Sequence, residues 1–501
     1  MYKKSEEKVR LIFVYQVGSF WPSWDSLYTA CMTDDRFEVK LLWIDDSVGD
    51  KAQMEYAEDF LVEKQVPYEP FSYERVMQYH PTYMIYQTPY DKGHRVDSTW
   101  TARYRREGIR IVYIPYGIEI SDTAESRYKH FSLPVVLNAY SVFVLSESMK
   151  KEYEKYCINA KAVKALGLPR FDALRREYPL SDVLKERIAG RKVILWKAHF
   201  PKVFVENGIK KQATPDLDEY IKFVDYIKKR QDIFCIFMPH PKFADATIDL
   251  DLLPRAQQIL EEMNALSNVY IDRSDDYRNS LTNADAIIVD RSAVMIEVGA
   301  LGVPVLYMYN KTYNEPMTEP IQKLLDNYYQ GTTEQEMEGF CDMMRAGEDE
   351  KREFRQNAFR ECVPYYDGKC AERILERLWL DAQYDEPIGM VCELPPNARI
   401  AVAGTGHISN YCMKILEQQA EKSIEVVCFA DNNKQKQGLM FHDRPIIAME
   451  ELPETGCEYI VIASDKYYRD LYLQLLKIGY TSDRILNYDH FIILTKYEKQ
   501  G

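Results

Sequence analysis

The sequence predicts an α/β protein of parallel sheets with helices on both faces, arranged as two large units and a smaller third. Three observations predict it. Strand-length apolar runs alternate with helical patterns from "VRLIFVY" to "VPVLYM", the rhythm of parallel sheets joined by crossover helices. Gly-x-Pro punctuation in "LGLPRFDAL" (Leu166 to Leu174) marks a first boundary. The acidic, proline-bearing stretch "DAQYDEPIGMVCELPPNAR" marks a second. At 501 residues the chain is long enough for each unit to bury a core.

The first unit, residues 1–170, takes its strands from "VRLIFVY", "FEVKLLWI", "TYMIYQ", "IRIVYI" and "SVFVLS", with a helical pattern at "WDSLYTACM". The second, 171–382, takes "KVILWK", "IFCIFM", "NVYI", "AIIVD" and "VPVLYM", with helices expected over Leu217 to Lys229, Leu253 to Leu266 and Ser292 to Leu301. A helical pattern from Glu334 to Leu380 closes it, and 383–397 read as a linker. In the third unit, 398–501, "RIAVAGTGHISNYCMKILEQQ" is a strand, a glycine turn and a helix. Gly404, Gly406 and Ser409 approximate the turn that brings backbone close to a pyrophosphate, and Asp431 closes the following strand. A Rossmann-like domain is expected there, open to a nucleotide or nucleotide sugar.

A net charge of −14 disfavours a general nucleic-acid binder. The one basic run, "RYRREGIR" (Arg103 to Arg110), reads as a solvated helix face. Ten cysteines occur without a CxxC pair, and Cys235 and Cys428 lie inside strand-like runs. They read as reduced thiols of a cytoplasmic protein. The charged start "MYKKSEEKVR" lacks a signal-peptide core, and no apolar stretch reaches membrane-spanning length. Membrane contact is therefore expected to be peripheral.

Ligands of open α/β sheets sit beyond the C-terminal ends of strands. The residues there are Pro239-His240-Pro241-Lys242, Asp290-Arg291-Ser292, and Lys197 with His199. Flanking prolines restrict His240, which suits an imidazole placed against a ligand; the bland alternative is a rigid, solvated turn. Arg291 offers charge and Ser292 a hydroxyl at an expected helix start, a phosphate seat that is also compatible with a simple N-cap. Glu297 follows on that helix, where a carboxylate could accept from ribose hydroxyls. No cluster has metal-ligand spacing, so neither a metal nor a cofactor is expected to be required.

"GLPRFD", "MPHPKF", "DDYRNSLTNADAIIVDRSAVMIEVGALGVPVLYM" and "YYDGKCAERILERL" stand in the order and spacing of a known family. The chain resembles the CDP-glycerol glycerophosphotransferases, the teichoic-acid polymerases and primases, over roughly Val9 to Leu380. The resemblance implies a GT-B architecture, two Rossmann-like domains facing a cleft, here with a third, smaller Rossmann-like domain. It implies that His240 is an essential histidine near the diphosphate and that Arg291 and Ser292 line the phosphates, and Glu297 matches the acid that contacts the ribose in the wider GT-B motif; Lys197, Lys242 and Asp290, read from their strand-end positions, are expected beside them on the donor side. The family's N-terminal half carries a His-Gly thought to supply the base; here that place holds Tyr116-Gly117. Tyrosine is a poor base near neutrality. His94, Glu119 and His199 are left as alternatives.

The last unit, "IAVAGTGHISNY…VVCFADNN…FHDRPIIAMEEL…YIVIAS", resembles Rossmann-type domains attached to bacterial glycan-modifying enzymes. The function implied is transfer of glycerol phosphate, or a related polyol phosphate, from a CDP-polyol to a lipid-linked or polysaccharide acceptor, releasing CMP. Two other readings stay open. The Glu297 to Pro304 spacing is shared with nucleotide-sugar glycosyltransferases, and the altered Tyr116 admits a catalytically silent glycan-assembly protein. Oligomeric state is not legible.

Overall fold

The computed structural model describes residues 7–45, 57–206, 209–245, 249, 251–384, 393–419 and 424–497. Residues 385–392 of the expected linker lie outside them.

The first sheet holds β1 (Val9–Tyr15), β2 (Phe37–Trp43), β3 (Glu69–Pro70), β4 (Tyr83–Tyr86), β5 (Arg110–Tyr113), β6 (Ser141–Val144) and β7 (Val163–Ala165), in the order β3-β2-β1-β4-β5-β6-β7. The second holds β8 (Lys192–Ala198), β11 (Ile233–Pro239), β12 (Val269–Ile271), β13 (Ala286–Val289), β14 (Val305–Met308) and β15 (Tyr329–Gly331), in the order β12-β11-β8-β13-β14-β15. Between β8 and β11 a separate antiparallel hairpin, β9 (Val203–Glu206) with β10 (Ile209–Gln212), stands apart. The third sheet is β18-β19-β17-β16-β20-β21, from β16 (Arg399–Ala403), β17 (Glu425–Ala430), β18 (Met440–Phe441), β19 (Arg444–Ile447), β20 (Tyr459–Ile462) and β21 (Ile485–Asn487). All pairings in the first two sheets are parallel. Helices cover both faces, so central strands are buried on each side; β4, β5, β6, β11, β13 and β14 are buried at every residue. That is why they read in sequence as unbroken apolar runs.

The helix Leu217–Lys229 forms as expected, and Leu253–Ala265 follows the expected span closely. The expected helix from Ser292 to Leu301 does not form as one piece. It is a four-residue α turn, Val294–Glu297, followed by a 3-10 turn, Val298–Leu301. A Cβ added at Gly299 would lie 2.8 Å from both the Phe359 ring and the Tyr328 hydroxyl, so close packing fixes the path there. Gly302, at φ +72°, then ends the segment in the left-handed region.

The helix Cys370–Ala382 packs on the N-terminal sheet, away from the sheet that precedes it in the chain: Ala371, Ile374, Leu375 and Leu378 share one core with Leu11, Phe13, Trp24 and Leu27. Its first turn is held by Asp172, whose carboxylate accepts from the backbone N–H of Cys370 at 3.0 Å and Ala371 at 2.7 Å. A second cross-link is the buried pair of Asp25 and Arg278, at 2.6 Å.

The arginines of "RYRREGIR" are not a solvated face. Arg103 lies over the rings of Tyr73 and Tyr497, Arg106 pairs with Glu393 at 2.7 Å, and Arg110 donates to the carbonyls of Asp381 and Tyr384. Stacking and ion pairing with distant parts of the chain leave Arg103 and Arg106 half-buried and Arg110 buried. The third sheet also reaches the first unit through Trp100 and Ala102 in its core and through Asn138, which donates to Asp489 at 2.8 Å.

Glycines provide the test of this packing. A Cβ at Gly167 (φ +84°) would lie 2.5 Å from Cys370 Sγ and 2.9 Å from Tyr365 Cβ, whereas one at Gly339, inside the helix Glu334–Ala346, meets nothing within 4 Å. Gly167→Ala should lower stability by about 2 kcal/mol or more. Gly339→Ala should be neutral or stabilising by up to about 1 kcal/mol. Urea midpoints with unchanged m-values check both; equal midpoints for the two variants would contradict the packing described.

Candidate functional site

Strand register builds the site. β8 pairs with β11 so that Ala198 stands beside Pro239, and with β13 so that Lys197 stands beside Val289. One step further along each strand come His199, His240 and Asp290. The ladder continues into them: the His240 N–H donates to the Ala198 carbonyl at 2.8 Å, and the His199 N–H donates to Asp290 Oδ1 at 2.8 Å and Oδ2 at 3.0 Å. Three residues separated by up to 91 positions thus meet at one sheet edge.

The two imidazole rings lie 4.9 Å apart, each also against Phe200. His199 Nδ1 is 2.9 Å from the Phe200 carbonyl, which can only accept, so the proton sits on Nδ1 and Nε2 keeps its lone pair. His240 is the opposite. Its Nδ1 accepts from the Lys242 backbone N–H at 3.0 Å, so its Nε2 carries the proton. The pair offers one donor and one acceptor. Burial, then the charges of Lys197 and Lys242, hold His240 down to about 3, and burial together with His240 and Arg291 holds His199 well below the ordinary imidazole range.

Asp290 is fully buried, accepts from the Tyr220 hydroxyl at 2.9 Å, and faces Lys197. Burial pushes its carboxyl up and the Lys197 ammonium down. Asp290 therefore anchors the His199 backbone, and its charge opposes the effect of burial on Lys197.

Arg291 reaches across to the first unit, donating to Ser121 Oγ at 3.0 Å, while Glu315 pairs with its guanidinium. Ser292 Oγ accepts from the Val294 N–H at 3.4 Å. The expected helix start at Ser292 supplies no appreciable macrodipole, because the α turn is four residues long. Glu297 is 1% exposed: Arg170 holds it at 2.7 Å and the Tyr277 hydroxyl at 2.8 Å. Removing one partner of such a buried pair costs about 3–5 kcal/mol, so here the carboxylate is a pin. Arg170 also donates to the Tyr116 carbonyl and so ties the second unit to the first.

Tyr116 stacks on Phe20 with centroids 3.9 Å apart and is hydrogen-bonded to Tyr90; burial pushes its phenol well above the ordinary range. Glu119 is 4% exposed, accepts from the Tyr153 hydroxyl, and is pushed up to about 7 by burial. His94 is exposed and stacks on Tyr90 at 4.5 Å.

Sequence reasoning missed part of the same cluster. The charges of Lys202, Lys129 and Arg291 all act on His130, and those of Arg291, Lys129, Glu315 and Glu125 act on Lys202. Lys202 follows His199 by three positions in the same strand-end loop, which was the available signal. Nothing in "ESRYKHF" distinguishes Lys129 and His130 from an ordinary helix end.

In the third unit Gly404 takes φ +104°, its Cβ position 3.4 Å from the Ala463 carbonyl oxygen, and Ser409 Oγ donates to the Gly404 carbonyl at 2.8 Å. Gly406 precedes the twelve-residue helix His407–Gln418. Asp431 accepts from Thr405 and lies 3.3 Å from Lys436 Nζ. Among the described residues, the carboxylates of Asp172 and Asp367 and the Cys370 thiol come within 4.8 Å of one another. Asp172 is the helix cap described above and Asp367 pairs with Arg373 at 2.7 Å, so this group is accounted for by the fold.

Comparison with solved structures places the fold. A UDP-N-acetylglucosamine 2-epimerase from Listeria monocytogenes aligns at a TM-score of 0.52 and 13% identity, over 76% of this chain and 98% of that one. The S. aureus MnaA–UDP co-structure aligns at 0.51 and 14%, over 75% and 98%. Similarity at this level is one of fold, two Rossmann-like domains and a cleft. A variant of the wall teichoic acid polymerase TagF aligns at 0.47 and 13%, over 75% and 89%, a score too low to add to the fold. No curated protein matches. A family model described as C2185-like, N-terminal, matches residues 396–486 in the third unit. The model described as CDP-Glycerol:Poly(glycerophosphate) glycerophosphotransferase matches residues 118–380, just over half the chain and the whole of the strand-end cluster, and the chain accordingly belongs to the CDP-glycerol:poly(glycerophosphate) glycerophosphotransferase family.

Proposed function

We propose that the chain transfers glycerol phosphate, or a related polyol phosphate, from a CDP-polyol bound at the ends of β8, β11 and β13. The acceptor is a hydroxyl on a growing surface polymer, lipid-linked or free. Its oxygen attacks the β-phosphorus and forms a new P–O bond; the bond to the bridging oxygen breaks, and that oxygen leaves with its electron pair on CMP. The observation that carries this reading is the register that brings His199, His240 and Lys197 together inside the segment the family model covers. Phosphoryl transfer depends on in-line positioning and neutralisation of developing charge. His240 Nε2–H donates to the diphosphate, with Lys197, Lys202 and Arg291 supplying positive charge.

No helix among the described residues is long and apolar enough to cross a membrane. A lipid-linked acceptor would therefore be met at the membrane surface, with the chain bound peripherally at the inner face.

Purified protein with labelled CDP-glycerol and a lipid-linked glycerol-phosphate acceptor should release CMP. His240→Ala should lower kcat by about 10²-fold or more. Absence of turnover with both CDP-glycerol and CDP-ribitol, alongside thermal stabilisation by UDP-sugars, would overturn the assignment.

A pH measurement follows from the buried ring. The His240 imidazole lies at about 3 against an ordinary 6.5. Below 6.5 the unfolded chain takes up a proton that the folded chain refuses, so the stability this group contributes is complete above 6.5 and is lost as pH falls toward 3. Histidine-selective NMR should show the His240 ring neutral throughout about pH 5–8. A ring that titrates between pH 6 and 7 would contradict the burial described.

A further inference from the structure

We propose that the acceptor enters the cleft by a sugar ring, seated on an aromatic wall that Phe20, Tyr116, Tyr90 and His94 form on the first unit, with Asp275 accepting from its hydroxyls. This rests on the phosphotransferase reading above and names the acceptor class of that site.

The wall grows from three adjacent strands. β1 pairs with β4 and β4 with β5, and each runs at its C-terminal end into part of the wall: Phe20 after β1, Tyr90 and His94 after β4, Tyr116 after β5. Two buried amides hold these loops in place. Gln87 Nε2 donates to the Phe20 carbonyl at 2.8 Å and Gln16 Nε2 to the His94 carbonyl at 2.8 Å, while the Tyr116 N–H donates to the Gln87 carbonyl at 2.9 Å. Phe20 stacks on Tyr116 with centroids 3.9 Å apart, Tyr116 is hydrogen-bonded to Tyr90, and Tyr90 stacks on His94 at 4.5 Å. The four rings make one band.

That band borders the second unit. At one end Gly18, in the same 3-10 turn as Phe20, is pressed against Asp275: a Cβ there would lie 2.4 Å from Asp275 Oδ2. At the other, Arg170 donates to the Tyr116 carbonyl, and Arg291 donates to Ser121 Oγ at 3.0 Å. The rings are not core. Phe20, Tyr90 and Tyr116 are half-buried and His94 is exposed, and among the described residues none of them belongs to an apolar core or packs against one. A contiguous aromatic surface left open beside a cleft marks a binding surface.

A pyranose ring presents a flat C–H face bordered by hydroxyls. Its C–H groups are drawn to the electron-rich face of an aromatic ring, and stacking removes apolar area of both from water. A chain of glycerol phosphates, the acceptor in the family's description, has no flat face and carries a negative charge on every unit. Asp275 sharpens the distinction. Its carboxylate is half-buried and has no hydrogen-bond or ion-pair partner among the described residues, and the like charges of Glu63 and Asp276 act on it. An unpaired acid beside the wall repels a phosphate chain and accepts hydrogen bonds from sugar hydroxyls. Lys129, which acts on Tyr90, is already paired with Glu125 at 2.6 Å. The first unit thus offers a seat for a neutral ring, and the terminal sugar's hydroxyl is the attacking group in the transfer proposed above.

The test uses the full chain, labelled CDP-glycerol and lipid-linked acceptors that end in a hexose, an N-acetylhexosamine or a glycerol phosphate. CMP release should show kcat/KM at least about tenfold higher for a sugar-ended acceptor than for the glycerol-phosphate one. Phe20→Ala should raise KM for that sugar acceptor about tenfold while the Kd for CDP-glycerol, read by thermal shift, stays within about threefold; Phe20→Trp should keep KM within about threefold of wild type. Asp275→Asn, which keeps the shape and removes the charge, should shift selectivity toward the glycerol-phosphate acceptor by about threefold or more. Saturation-transfer NMR on the wild type needs no variant: saturating the protein's aromatic protons should reach the ring C–H protons of the methyl glycoside of the same sugar. A glycerol-phosphate acceptor used as well as every sugar-ended one overturns the proposal. So does a folded Phe20→Ala with unchanged KM, an unshifted selectivity in Asp275→Asn, or no transfer to the sugar ring. If the wild type releases no CMP with any acceptor, the phosphotransferase reading fails, and saturation transfer still decides the sugar seat.

Discussion

The parallel register of β11, β8 and β13 is the constraint on which the site depends. Backbone hydrogen bonds between adjacent parallel strands fix which residues leave the sheet together. A shift of one residue in either pairing would turn side chains to the opposite face and part His199 from His240 and from Asp290. Each strand is buried along nearly its full length, so the register is held by apolar packing on both faces. The chemistry at the edge is set by the interior. Asp290 is the clearest case: both carboxylate oxygens are committed to the His199 N–H, and one also to Tyr220, so a buried charge fixes the backbone that carries the imidazole.

The second organising feature is Arg170. It joins Glu297 of the second unit to the Tyr116 carbonyl of the first, with Tyr277 closing the far side of the carboxylate. Arg278 with Asp25 and Asp172 with the helix Cys370–Ala382 repeat the arrangement elsewhere along the boundary. Two groups that sequence alone presents as ligands, Glu297 and Arg291, are here bonded to residues of the opposing unit, Arg170 and Ser121. Arg291 with Glu315 and Ser121 belongs to the same set. On the proposed reading, a diphosphate seated there would compete with Glu315 for Arg291 and so link donor binding to the Arg291–Ser121 contact between the units.

What was legible in the sequence follows from the range of the forces involved. Strands covered on both faces announce themselves as apolar runs, and the amphipathic helix Leu217–Lys229 shows its period directly. The proline-flanked His240 was legible because it ends a strand, and sheet geometry places ligands there. Side-chain partners were not. Nothing near Glu297 in sequence indicates Arg170, 127 residues away, and nothing in "RYRREGIR" indicates Glu393 or Tyr497. The helix expected at Ser292 failed because Gly299 packs against Phe359 and Tyr328, a tertiary constraint invisible to local propensity. His130 was missed for the same reason: its surroundings come from Arg291 and Lys202, distant in the chain.

The proposed transfer requires the diphosphate to seat on the ends of β8, β11 and β13. A crystal structure of the full chain soaked with CDP-glycerol tests it most directly. The β-phosphate should lie within hydrogen-bond distance of His240 Nε2, with Lys197 or Lys202 turned toward the phosphates and the cytidine held in the second unit. A diphosphate bound only at the Gly404 turn of the third unit, with the strand ends unchanged, would contradict it.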